Sequence, residues 1–94
     1  MFTDYFIVKE TTTTACTICS RTFEATHLVT TDEKEAEERA KKALSDATKI
    51  YDDIDYEVIA EKEIKQVLGK LYVKVVSTRN ELKTIVISID KSLN

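Results

Sequence analysis

Cys16-Thr17-Ile18-Cys19 carries the most specific chemistry in this chain of 94 residues. Two thiolates separated by two residues at a tight turn can both face one tetrahedral zinc ion. The Ser20-Arg21-Thr22-Phe23 that follows matches the first half of a zinc finger. A full site needs four ligands, and His27 is the only histidine. Zinc at Cys16 and Cys19 would therefore require a dimer supplying four cysteines, or carboxylates and water. The plainer reading is two thiols in a β-hairpin, since one CxxC is half a site. Thioredoxin-type redox chemistry places the first cysteine at a helix N-terminus, whereas this motif falls between two expected strands. We expect no cofactor, with zinc at these two residues as the alternative.

His27 alternates with Phe23, Ala25 and Val29, which puts it on an apolar strand face. A lone histidine there is expected to be a hydrogen-bonded boundary residue rather than a general base. A Cys19–His27 dyad is left open by the sequence. Asp52, Asp53, Asp55 and Glu57 resemble an oxygen-rich calcium loop, but the glycine that such a loop needs is missing and Ile54 interrupts the run. They read as an acidic loop able to meet a basic partner. Lys62, Lys65, Lys70, Lys74 and Arg79 gather around Tyr72, a mixture that can hold single-stranded nucleic acid. Glu61, Glu63 and Glu81 dilute that patch.

The chain has one glycine, Gly69, and no proline. Phosphate loops, nucleophile elbows and dinucleotide fingerprints need glycines at fixed offsets, so none can be written here and no enzyme is expected. Seventeen acidic against fourteen basic residues leave a net charge of −3, which argues against a general phosphate-backbone binder. With 43% hydrophobic and 33% charged residues, a folded domain is expected. The length fits one domain, residues 1–94. Met1-Phe2-Thr3-Asp4 does not open a signal peptide, and runs such as Ile85-Val86-Ile87 are too short to span a bilayer. The expectation is a cytoplasmic protein of the host cell with no membrane partner.

The elements that must position these residues follow from periodicity. Tyr5–Thr14 and Thr22–Thr30 read as paired strands around the cysteine-bearing Ala15–Ser20 connection. Asp32 and Glu35 form a capping-box pattern, and Ala36, Ala40, Ala43, Leu44, Ala47, Ile50 and Tyr51 make one apolar helical stripe. Glu35–Arg39, Glu37–Lys41 and Glu38–Lys42 sit at i, i+4. Tyr56–Glu61 reads as a third strand, Glu63–Leu68 as a short helical turn ended by Gly69, and Leu71–Ser77 with Lys83–Asp90 as a second hairpin whose turn uses Asn80. The expected fold is α+β: an antiparallel or mixed sheet of about five strands, order β-β-α-β-β-β, with one long helix on one face. Leu71-Tyr72-Val73-Lys74 is similar to Phe6-Ile7-Val8-Lys9, suggesting a truncated repeat.

Thr26-His27-Leu28-Val29, then Glu35-Ala36-Glu37, then Tyr56-Glu57-Val58-Ile59 resembles an uncharacterised family of short ββαβ-repeat proteins of gut Bacteroidetes and their phages. The resemblance covers roughly residues 5 to 68 and implies fold and origin, with no activity to carry over. Two cysteines replace the usual glycine-containing turn.

Leu71, Val73 and Val75 alternate with Tyr72 and Val76, while Ile85, Ile87 and Ile89 alternate with Val86. Strands apolar on both faces need a second layer, from a homodimer or a host or phage protein. The expected function is a non-catalytic protein-binding module, a phage or mobile-element accessory protein that inhibits a host defence or nucleic-acid machine, anti-CRISPR-like. Its expected contacts are Tyr72, Lys74, Val76, Arg79 and Val86, with Asp52, Asp53 and Asp55. The alternative is a small nucleic-acid-binding accessory, as a zinc-clipped dimer.

Overall fold

The computed structural model describes residues 4–49, 56–67 and 69–92. β1 (Tyr5–Cys16) and β2 (Ser20–Thr30) form a hairpin, α1 (Glu33–Lys49) follows, and β3 (Tyr56–Gln66), β4 (Gly69–Thr78) and β5 (Glu81–Ser92) complete the chain. The sheet order is β2-β1-β5-β4-β3, and every pairing is antiparallel. The fold is thus α+β, with one helix among the described residues. β5 is the central strand, which is why Ile85, Val86 and Ile87 follow one another as an unbroken apolar run, with Ile89 beyond Ser88.

α1 starts as its residues dictate. The Asp32 carboxylate accepts from the Lys34 amide at 3.0 Å, and the Ala36 amide donates to the Asp32 carbonyl at 3.1 Å. The capping box is not closed by Glu35, because the Asp32 amide donates to the Thr30 hydroxyl at 3.1 Å. Ala36, Ala40 and Ala43 are buried against Phe6, Val8, Tyr72, Ile85, Ile87 and Ile89. Side chains of one carbon let the helix axis lie close to the sheet. Leu44 and Ala47 pack at the margin, while Ile50 and Tyr51, placed in the same stripe, lie outside the described residues. Glu37 leaves Lys41 and reaches Lys70 on β4 at 2.5 Å.

Of the helical turn expected over Glu63–Leu68, Glu63 to Gln66 are strand, Val67 lies in the turn after it and Leu68 lies outside the described residues; Glu63 and Lys65 face the helix side opposite Tyr72 and Lys70. Ser88-Ile89-Asp90-Lys91, although similar in sequence to the Thr31-Asp32-Glu33-Lys34 entry of α1, lies within β5. Long-range pairing outweighs a weak helical pattern here. Gly69 opens β4 at φ +134°, where a Cβ would fall 1.8 Å from the Ile89 carbonyl oxygen. Glycine is required by that approach rather than by a helix end. At the Arg79-Asn80 turn, no described non-glycine residue has positive φ. Thr78 closes it instead, its hydroxyl accepting from the Glu81 amide at 3.2 Å.

Candidate binding face

Among the described residues, α1 covers one side of the sheet and no element covers the other. Register places Ile7 on β1, Val86 on β5, Leu71, Val73 and Val75 on β4, and Ile64 on β3 together on the open side. Residues directly opposite on neighbouring strands share a face, so Ile7, Leu71, Val73, Val75 and Val86 shield one another and are half-buried, with no described element above them. Leu82, Ile64 and Val29 at its borders are 42%, 42% and 58% exposed. Threonines at 11, 13 and 84 fill the gaps.

One row crosses the whole open face: Glu24, Thr11, Val86, Val73 and Lys62, on β2, β1, β5, β4 and β3 in turn. An acid stands at one edge and a base at the other, roughly 19 Å apart at 4.8 Å per strand. The two edges themselves are poor templates for strand addition. β2 carries a bulge opposite Val8/Lys9, β3 another around Ile59, and both strands present charges.

The β2 bulge also overturns the face assignment drawn from alternation. Leu28 pairs with Val8 and packs on the core, whereas Val29 pairs with Ile7 on the open side. Phe23 and Ala25 stay on the helix side, so Val29 does not share their face. His27 is the residue passed over by the register. Its Nε2 lies 2.8 Å from Glu10 Oε1, and the Thr12 hydroxyl donates to Glu10 Oε2 at 2.6 Å. Glu10 is buried, and these two contacts satisfy it. His27 is the hydrogen-bonded boundary residue its strand position suggests. Cys19 lies eight residues away along the hairpin arm, roughly 25 Å at 3.3 Å per residue, so no Cys19–His27 dyad forms.

The expected contact residues divide. Tyr72 (6% exposed) and Val76 (0%) are buried on the helix side, because even-numbered β4 residues share the face of Ile85 and Ile87. They belong to the interior and are not a contact surface. Lys74 is half-buried beside them, Arg79 is exposed in the β4–β5 turn, and Val86 alone lies at the centre of the open face. Asp52, Asp53 and Asp55 lie outside the described residues. The nucleic-acid patch is dispersed: Tyr72 cannot stack a base, Lys70 is engaged by Glu37 and Glu63, and Lys62 points to the opposite side. Burial raises the Tyr72 phenol above its ordinary value, and the Glu37 hydrogen bond raises the Lys70 ammonium.

At the tip of the first hairpin, the Cys16 amide donates to the Cys19 carbonyl at 2.9 Å and the two sulfurs lie 2.6 Å apart. Among the described residues, no third histidine, thiol or carboxylate joins them as a metal-holding group. No described helix is long and apolar enough to cross a membrane. Ile64, Leu82 and Glu24 were not singled out by sequence, and Lys62 was read only as part of a basic cluster, since only the strand order puts the four on one face. Comparison with protein-family models, with curated proteins and with solved structures returns no match to this chain.

Proposed function

We propose that this protein is a non-catalytic protein-binding module that works through the uncovered sheet face, and that a second copy of the chain occupies that face. The row from Glu24 to Lys62 carries this reading. A two-fold axis parallel to the strands through Val86 lays Glu24 of each copy over Lys62 of the other, with Val86 against its twin. The face measures roughly 24 by 27 Å, about 600 Å² in projection, near the ~800 Å² per partner of a stable contact. Two such sheets stack as in a β-sandwich, about 10 Å apart. The setting in which the module acts, as an accessory protein of a phage or mobile element directed at a host defence machine, is supported by the family resemblance alone.

Light scattering across a concentration series tests the module. A dimer is expected for the natural chain, and a monomer for Val86→Asp with its circular dichroism unchanged. A natural chain that stays monomeric at high micromolar concentration, or an undisturbed Val86→Asp dimer, overturns the face as the contact.

A further inference from the structure

The geometry points to Cys16 and Cys19 as a dithiol–disulfide couple that exchanges with small-molecule disulfides such as oxidised glutathione. The sequence argument against redox chemistry rested on the absence of a helix N-terminus, and the structure supplies a different activating group. The hairpin holds the two residues as a hydrogen-bonded pair, with Cys16 Sγ 3.2 Å from the Cys19 carbonyl oxygen and 2.6 Å from Cys19 Sγ. Such pairs bring Cα atoms to about 5.5 Å, within the usual range for a disulfide. Cys19 is exposed, Cys16 is half-exposed, and neither is bonded. Closing the bond therefore needs little backbone movement, and both sulfurs are open to a reagent.

The two thiols are also unequal. The contact between the two thiols pulls the Cys16 thiol below its ordinary value and pushes Cys19 up. Cys16 is thus the attacking thiolate and Cys19 the resolving thiol. In the first step, Cys16 Sγ bonds to one sulfur of the small disulfide and the other leaves as a thiolate. Cys19 then gives up its proton, attacks Cys16 Sγ and releases the second small thiolate. Two protein thiols and one small disulfide become one protein disulfide and two small thiols.

Register places Cys16 on the helix side of the sheet, opposite Glu81. The face-to-face pair proposed above therefore keeps the cysteines of the two copies apart, and the redox couple does not depend on it.

The test equilibrates the purified chain with graded ratios of reduced to oxidised glutathione, then alkylates free thiols and weighs the products. The expected result is full, reversible conversion between a doubly alkylated form and an unmodified form two hydrogens lighter than the dithiol. Cys16→Ser and Cys19→Ser should each stop at one glutathione adduct. The adduct should form several-fold faster on Cys19→Ser, whose serine hydroxyl can still donate to Cys16. Wild-type protein that stays doubly alkylated, or takes up two glutathiones, overturns the couple. So does a zinc-bridged dimer, formed on adding zinc alone, that protects all four thiols.

Discussion

Replacing Glu24 by lysine tests the two-fold arrangement more sharply than any hydrophobic substitution. Glu24 and Lys62 stand at opposite edges of one row, on strands β2 and β3, and both are exposed. They are too far apart to meet within one chain but are superposed between copies by an axis parallel to the strands. Each dimer then holds two Glu24–Lys62 pairs. An exposed pair contributes about 0.5 kcal/mol, and a like-charged pair costs a similar amount. Glu24→Lys therefore swings each contact by about 1 kcal/mol and the dimer by about 2 kcal/mol, roughly 30-fold in Kd. Lys62→Glu should weaken the dimer equally, and Glu24→Lys with Lys62→Glu should restore it. Sedimentation equilibrium at low salt reads all four proteins. Raising the salt to about 0.5 M, where the Debye length falls to about 4 Å, should bring the four dissociation constants together. A double variant as weak as the product of the single effects would refute the axis, because it would show that the two charges never meet.

The remaining predictions concern the fold. Gly69→Ala should lower stability by roughly 3 kcal/mol or more, since the new methyl falls on the Ile89 carbonyl and the backbone sits at φ +134°; urea unfolding measures it. Ala40→Leu should cost about 1–3 kcal/mol by forcing α1 off the sheet, with a lower thermal midpoint as the readout. The Glu37 carboxyl is held below its ordinary 4.5 and the Lys70 ammonium above its ordinary 10.5, each mainly by their mutual hydrogen bond. Stability from Glu37 is present above 4.5 and lost as pH falls through its folded value; that from Lys70 is present below 10.5 and lost as pH rises through its folded value. Glu37→Gln should flatten both limbs of the stability–pH curve. Burial holds the Tyr72 phenol above 10.0, so stability should also fall as pH climbs past that value, and in an ultraviolet titration Tyr72→Phe should lose absorbance change from the region above 10.0.

The parts of the fold written in local chemistry were legible in the sequence. Asp32 caps α1, the alanine stripe at spacings of four and three is the buried one, and the strand segments are strands. The parts decided by distant partners were not. Glu63–Gln66 has a helical pattern, but Lys70 and Tyr72 across the β4 ladder hold it extended. Asn80 tolerates a left-handed backbone, yet the Thr78 hydroxyl closes its turn without one. A single extra residue at His27 inverts the face of everything beyond it in β2, and period-two alternation cannot anticipate a bulge.

The binding face shows the same division at the level of function. That β4 and β5 are apolar on both sides is visible in the residues, and the expectation of a second layer follows from it. Which side the helix takes is not, because either alternation could have met the alanine stripe. The helix side takes Tyr72 and Val76, and Val86, Val73 and Leu71 are left outside. Strand order then adds what no linear reading contains. With β5 inserted between β1 and β4, residues 24, 11, 86, 73 and 62 become neighbours in one line. A line that is acidic at one end, basic at the other and apolar in the middle is complementary to itself when turned over. Bulges and charges on β2 and β3 blunt the two edges at which a strand could otherwise be added. That leaves the open face as the surface on which the proposed association is to be tested.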